Sequence, residues 1–236
     1  MKTVIILAAG IGSRLRPITD EMPKCCIKVG GNSLIKRVIS QVLSVDSQTV
    51  IYVVGGYLSD RLRREIVEFS ANIVFIENTE YLRTNNMESC RLALSHRVEY
   101  GSSLILNADC IYATEIVSEM MLADKSCIAA DSGVYIKENM KIQVEGDRVT
   151  DITKLLLPDT NVHTSIDIYN FDNNDLQKLR KIMNNYHDNK DLTQWTEVAI
   201  NDLLAISEIA FLDISPLAWM EIDNKEDLEK AREIFG

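Results

Sequence analysis

No run in this 236-residue chain approaches the roughly 20 consecutive apolar residues that a membrane-spanning helix requires. The nearest candidate, residues 3–10 behind Met1-Lys2, is short and runs into Arg14 and Arg16 instead of a cleavage site, so it reads as a buried first strand and not as a leader. The five cysteines (Cys25, Cys26, Cys90, Cys110 and Cys127) contain no C-x-x-C pair, and their number is odd. This speaks against a redox motif or disulfide framework and for a reduced, cytoplasmic setting, with vicinal Cys25-Cys26 as a core element. A broad basic face is missing too: 25 Lys and Arg stand against 35 Asp and Glu, a net charge of −10, which argues against nucleic-acid binding. There is no internal repeat, low-complexity segment or long linker. Otherwise the composition, 46% hydrophobic and 25% charged, is ordinary for a globular chain with a deep core.

The charge that is present is unevenly placed. Up to Arg37 there are seven basic residues against two acidic ones, a net of +5; the remaining 18 basic and 33 acidic residues leave −15. One basic segment on an acidic chain suits a small anionic ligand taken up at one place. That segment, residues 7–24, reads L-A-A-G-I-G-S-R-L-R-P-I-T-D-E-M-P-K: an apolar run, a glycine-rich bend, then Arg14, Arg16 and Lys24 interleaved with two of the four prolines. Gly10 and Gly12 allow bare N–H groups to approach an anion, and the cations offer charge-assisted hydrogen bonds to phosphate oxygens. Two familiar phosphate loops are excluded. The dinucleotide fingerprint needs a third glycine where Leu15 stands, and a helix that Pro17 and Pro23 would break. The ATPase-type loop needs a closing Gly-Lys-Ser/Thr, which is absent. A longer, open basic loop able to wrap a triphosphate remains.

Beyond it, strand and helix alternate. Strands are expected at residues 3–8, 49–54, 73–76, 103–107 and 127–130. Helices are expected around 34–42, 61–69, 87–97 and 115–122. This order predicts an α/β, Rossmann-like fold with a mostly parallel central sheet flanked by helices, and ligands beyond the carboxyl ends of its strands. From Asp131 the texture changes to short antiparallel strands (133–136, 141–145, 148–154, with Glu-Gly-Asp-Arg as a turn) and a half-buried strand at 163–170. Helices at 175–183 and 197–205, strands at 209–212 and 218–221, and a helix from Lys225 complete the reading. We expect one domain over 1–236, residues 1–131 forming a nucleotide-binding half and 132–236, with a small antiparallel β subregion, an acceptor-binding half.

G-x-G-x-R-L-x-P-x-T-x-x-x-P-K, followed by x-V-x-G-x-x-L-I, resembles the opening motif of the small-molecule nucleotidyltransferases, a family that includes sugar-1-phosphate nucleotidyltransferases and phosphocholine cytidylyltransferase-like enzymes. An N-A-D segment at Asn107–Asp109 and W-M-E-I-D-N-K-E-D-L from Trp219 extend the resemblance over most of the chain. It implies that Arg14 and Lys24 act on phosphates, Arg14 on the β/γ groups and Lys24 where attacking and attacked phosphates meet. It implies further that Asp109 and Asp223 hold Mg²⁺, although their spacing alone reads as readily as capping, Asp223 with Glu226 in particular.

Nucleotide contacts are expected from Leu7, Ala8, Ala9, Gly10, Gly12, Ser13, Arg14, Gly56, Tyr57, Asn78, Ser89 and Asp109. Acceptor contacts are expected from Lys24, Asn85, Asn86, Asp167, Trp195 and Glu197, with Tyr81, Arg83, Met87, Tyr169 and Trp219 nearby. Trp195 and Trp219 read equally as core anchors, and Asn85-Asn86 as a helix cap. The A-A-G form goes with pyrimidines in the resembling enzymes. CTP is therefore the expected nucleotide, and the acceptor a phospho-amino-alcohol or a phosphorylated amide such as phosphoglutamine, feeding surface polysaccharide or lipid decoration. Pyrophosphate is released; no membrane partner is implied, and a homodimer is left open. The rivals are a sugar-1-phosphate nucleotidyltransferase using UTP or dTTP, a dinucleotide oxidoreductase, and a non-catalytic nucleotide sensor.

Overall fold

The structure, a computed structural model, describes residues 2–97 and 101–236. In chain order the elements are β1 (Thr3–Ala8), α1 (Ile18–Glu21), β2 (Lys28–Val29), β3 (Asn32–Ser33), α2 (Leu34–Val45), β4 (Val50–Gly55), α3 (Ser59–Glu65), β5 (Ile73–Glu77), α4 (Asn86–His96), β6 (Ser103–Asn107) and β7 (Cys110–Tyr112). Then follow α5 (Thr114–Leu122), β8 (Cys127–Asp131), β9 (Lys141–Glu145), β10 (Arg148–Thr153), β11 (Val162–Phe171), α6 (Asn173–Asp188), α7 (Thr196–Leu204), β12 (Ala210–Asp213), β13 (Trp219–Glu221) and α8 (Lys225–Phe235).

All six residues of β1 are buried, as a continuous apolar run in a sheet covered on both faces requires. Its alternate side chains serve two cores. Val4 and Ile6 pack with Ile35, Val38 and Val117 of α2 and α5. Ile5 and Leu7 pack with Cys90, Leu176 and Ile200 of α4, α6 and α7. In α2, Leu34, Ile35, Val38, Ile39 and Val42 are buried at helical spacing, and the Ser33 hydroxyl caps the first turn.

Among the described residues, nine strands form one mixed sheet in the order β5-β4-β1-β6-β11-β8-β12-β10-β9. The first four are parallel; β11 runs antiparallel to both its neighbours β6 and β8. The chain winds outward from β1 through β4 to β5, then crosses back to place β6 on the other side of β1. That reversal opens a crevice beyond the carboxyl ends of β1 and β6. The basic loop leaves β1 into this crevice, and Asp109 follows β6.

Three local differences from the expected elements matter for the site. Residues 133–136 form no strand: the Ile136 N–H donates to the Thr164 hydroxyl instead of to a neighbouring strand, and residues 132–140 become an irregular strap. The short strand β7 was not anticipated. It pairs antiparallel with β13, Cys110 opposite Glu221, and the Ile222 N–H donates to the Asp109 carbonyl at 3.0 Å. Finally, the antiparallel strands of the second half join the same nine-stranded sheet as the parallel ones.

Candidate active site

The basic loop is held from below. Leu15 is fully buried in a third cluster with Ile27, Leu34, Ile111, Ile222 and Leu228, so the turn that exposes Arg14 is anchored by the next side chain. Gly12 has φ +67°, and a Cβ there would lie 2.9 Å from Cβ of Lys24 and 3.2 Å from Cγ2 of Thr19. Only glycine allows both that backbone and that approach. The Thr19 hydroxyl donates to the Gly12 carbonyl at 2.8 Å, closing the loop on itself. A Cβ on Gly10 would meet nothing within 4 Å.

Lys24 reaches from this loop across the crevice. Its ammonium donates to Asp109 Oδ2 and to Asp223 Oδ1, both at 2.7 Å, with only 12% of its side chain exposed. Arg14 pairs with Asp223 Oδ2 at 2.8 Å and stays 69% exposed, free to turn toward a ligand. The β7–β13 ladder explains how aspartates 114 positions apart converge: it zips the residue after Asp109 to the strand before Asp223. Asp223 is not the cap of α8. That role falls to Asn224, whose side chain accepts from Glu226 N and Asp227 N, while Asp227 reaches back to the N–H groups of Asp223 and Asn224. The capping box thus leaves the Asp223 carboxylate to the crevice.

Burial alone would depress the Lys24 ammonium, but the charges and hydrogen bonds of Asp109 and Asp223 hold its pKa above the usual lysine value. Burial likewise opposes ionisation of Asp223, yet Lys24 and Arg14 hold that carboxyl below the usual range. Glu221 behaves oppositely. Burial, then the charges of Asp167, Asp109 and Asp223, push it up to about 9, with Lys24 offsetting only part. Asp109, Glu221 and Asp223 each bring an oxygen within 4.8 Å of the others. Asp109 Oδ1 is buried with no hydrogen-bond partner among the described residues. An orphaned carboxylate oxygen beside two more carboxylates is a donor set suited to a hard divalent cation.

These groups sit in the middle of a cavity of about 640 Å³. Toward one end lie Leu7, Ala9, Gly10, Gly12 and Ser13, with Asn78 and Ser89. The Asn78 amide donates to the Thr84 and Ser89 hydroxyls, and its Oδ1 accepts from Glu80 N. It shapes the 78–86 loop rather than offering a free amide. Ala8, Gly56 and Tyr57, expected at the nucleotide, do not line the cavity. Gly56 backs the loop instead, where a Cβ would come within 2.9 Å of both Cβ and the carbonyl oxygen of Ala9; the Tyr57 N–H donates to that carbonyl.

Toward the other end, Asn85 caps α4 and donates to Thr193 O, and Asn86 accepts from Thr196 N, so this pair tethers the segment bearing Trp195 and Glu197. Trp195 is 43% exposed, not a core anchor, with the Lys154 ammonium 4.8 Å above its ring. Asp167 sits at a bulge in β11 with φ +59°, a backbone a non-glycine residue adopts only when its surroundings enforce it. The Tyr169 hydroxyl spans Asp167 Oδ1 (3.1 Å) and Glu197 Oε1 (2.8 Å), and Asn107 donates to Asp167 Oδ2. Burial, then Glu197 and Asp109, raise Asp167 to about 7; Glu197 is raised as well, burial first. Trp219 does not line this cavity and donates to Asp131, Arg83 pairs with Glu80 on the surface, and Met87 is buried in the core. Arg16, counted above among the loop's cations, pairs with Asp20 in solvent.

Glu221, Lys154 and Asn139 line the cavity without having been singled out. Glu221 carried a signal: two residues before Asp223 on an extended segment, it emerges on the same side. Lys154 and Asn139 carried none, because strap and bulge geometry bring them in.

By sequence the chain is 28% identical over 234 residues to the bifunctional IPC transferase and DIPP synthase of Aquifex aeolicus (strain VF5), covering 98% of this chain and 51% of that protein. It is 36% identical over 111 residues to a 2-aminoethylphosphonate cytidylyltransferase of Lancefieldella rimae, covering 47% of this chain and 44% of the relative. The chain thus spans about half the length of these relatives. In structure it superposes on the CTP:phosphocholine cytidylyltransferase of Streptococcus pneumoniae with a TM-score of 0.79 at 20% identity, covering 100% of this chain and 99% of the other, which establishes a shared fold. The nucleotidyl transferase family model matches residues 3–234, so the chain belongs to the nucleotidyl transferase family.

Proposed function

We propose that this chain is a Mg²⁺-dependent cytidylyltransferase that transfers CMP from CTP to the phosphate or phosphonate of a small acceptor with a cationic or N–H-rich head. The observation carrying this reading is the Lys24 ammonium, held at 2.7 Å from each of two aspartates, between a glycine-lined loop and a carboxylate-rich pocket. Residues 10–14 receive the triphosphate and Arg14 its outer phosphates, a guanidinium matching phosphate oxygens two at a time. An acceptor oxygen attacks the α-phosphorus in line, the bond to the β-phosphate breaks, and pyrophosphate leaves with that electron pair. Repulsion between the two anions is the main barrier, and Lys24 lies where their charges accumulate. Asp109, Glu221 and Asp223 are the residues that would hold the metal ion, which supplies charge neutralisation on the phosphates.

The acceptor end supports a cationic head over a sugar. Asp167, half-buried, and Glu197, buried, share one tyrosine hydroxyl, and Trp195 offers an open ring face beside them. An ammonium or amide donor satisfies such a pair by hydrogen bonding; phospho-amino-alcohols, aminoalkyl phosphonates and phosphoglutamine all carry one. The product is an activated cytidine-linked molecule for a later transferase, consistent with surface polysaccharide or lipid decoration. Pyrophosphate release across an acceptor panel tests the proposal. Turnover is expected with CTP and amine-bearing phosphates or phosphonates. Turnover with glucose 1-phosphate and UTP or dTTP, and none with amine-bearing acceptors, would overturn it.

A further inference from the structure

Lys141, the first residue of β9, is fully buried, yet no carboxylate among the described residues forms an ion pair with it. An ammonium withdrawn from water, with only the charge of Glu138 beyond ion-pair distance to offset it, is costly, and its presence calls for a reason. Its hydrogen bonds supply one: Nζ donates to the carbonyls of Lys137 (2.9 Å) and Asn139 (2.8 Å), and it stands 5.2 Å from the centre of the Tyr135 ring. All three partners belong to the strap of residues 132–140. The strap has no ladder of its own; Tyr135 is moored to Leu156 O and Ile136 to Thr164. Its far end projects Asn139 into the crevice, where the amide donates to Glu221 Oε2 at 3.1 Å. A continuous chain of contacts therefore runs from a buried ammonium, through one backbone carbonyl, to the third carboxylate of the cluster.

We propose that Lys141 is a positioning residue for the carboxylate cluster: it fixes the strap so that Asn139 holds Glu221 toward Asp109 and Asp223. This rests on the cluster's being a divalent-cation site. Burial, with Lys154 adding like charge, depresses the Lys141 ammonium, which remains a donor to two carbonyls in either protonation state. Outer partners of metal ligands commonly contribute about 10–100-fold in metal affinity.

The test is Mn²⁺ binding followed by electron paramagnetic resonance, in the presence of α,β-methylene-CTP, which cannot turn over. Lys141→Met, of similar length and without donors, is expected to weaken Mn²⁺ binding about tenfold with the fold intact by circular dichroism. Asn139→Ala should lose a similar factor, and the double variant no more than either alone, since both act on one contact chain. Wild-type Mn²⁺ affinity in either single variant, or losses that multiply in the double variant, would overturn the proposal while leaving the metal site standing. Failure of the wild-type protein to take up Mn²⁺ at all would remove the metal site, and this proposal with it. If Lys141→Met does not fold, Asn139→Ala decides alone: unchanged Mn²⁺ affinity there overturns the proposal.

Discussion

Replacing Lys24 by alanine removes the one cation among the described residues that touches both Asp109 and Asp223. In the proposed mechanism its contact to phosphate strengthens as charge builds at the reacting centre, so turnover should fall about 10²–10³-fold while CTP affinity changes little. Because the same ammonium competes with a divalent ion for two carboxylates, the variant should also bind free Mn²⁺ more tightly. Steady-state kinetics beside Mn²⁺ titration checks both; equal losses in turnover and nucleotide affinity would contradict the assignment. Asp167 supports a second prediction. Its folded pKa, raised to about 7, means that the folded state holds a proton that the unfolded state releases near pH 4. Stability is therefore lost as pH rises from about 4 toward 7, and Asp167→Asn should flatten that slope. At pH 8 the variant should gain on the order of 1 kcal/mol, about 2–4 °C in melting temperature for a domain of this size. Thermal denaturation across pH 4–8 measures it, and an unchanged slope would mean that the Asp167 carboxyl is not the cause. Arg14 and Lys24 stood out in the sequence through the long opening motif, whereas Asp109 and Asp223 stood out only through the family resemblance, their spacing alone reading as readily as capping. Glu221 was readable from its place two residues before Asp223 on an extended segment but was not singled out; Lys154 and Asn139 were not readable, since their approach depends on tertiary placement that leaves no periodic pattern.

The elements that position these groups have testable weak points. Gly12→Ala forces a side chain onto a left-handed backbone and into Lys24, so it should cost about 1–2 kcal/mol of stability and displace the lysine as well. Turnover should fall further than that loss explains; denaturant titration with kinetics separates the two effects. Asn224→Ala removes the capping box of α8, at about 1 kcal/mol, and frees the turn that carries Asp223. Weaker Mn²⁺ binding should accompany the lost stability, and a purely stability effect would show that α8 does not orient the site. Strands such as β1 and β6 and the longer helices were readable from apolar period and length, whereas the four-residue α1 within the basic loop was not. The 133–136 segment misled because its short apolar run, Val134-Tyr135-Ile136, is moored residue by residue, Ile136 to Thr164 and Tyr135 to Leu156, and not paired in a ladder. The three-residue strand β7 is too short to carry a period at all, yet it brings the two aspartates together.

At the scale of the molecule, a single acidic chain with one basic loop collects opposite charges at the point where the strand order reverses. Six carboxylates (Asp109, Glu138, Asp167, Glu197, Glu221 and Asp223) share a cavity with Arg14, Lys24 and Lys154. A bound divalent ion and nucleotide should relieve that imbalance and stabilise the fold by mass action, by about 2.7 kcal/mol at a hundredfold excess over the dissociation constant. The parallel half of the sheet was legible in the alternation of strand and helix. The antiparallel strands were legible singly, but their joining of the same sheet was not, because pairing between distant segments is set by tertiary packing. The most direct measurement is the anomalous diffraction of a crystal soaked with Mn²⁺ and α,β-methylene-CTP. The account predicts a manganese peak among Asp109, Glu221 and Asp223, with the triphosphate along residues 10–14 and Lys24 at the α-phosphate. Manganese elsewhere, or a nucleotide bound away from that loop, would contradict it.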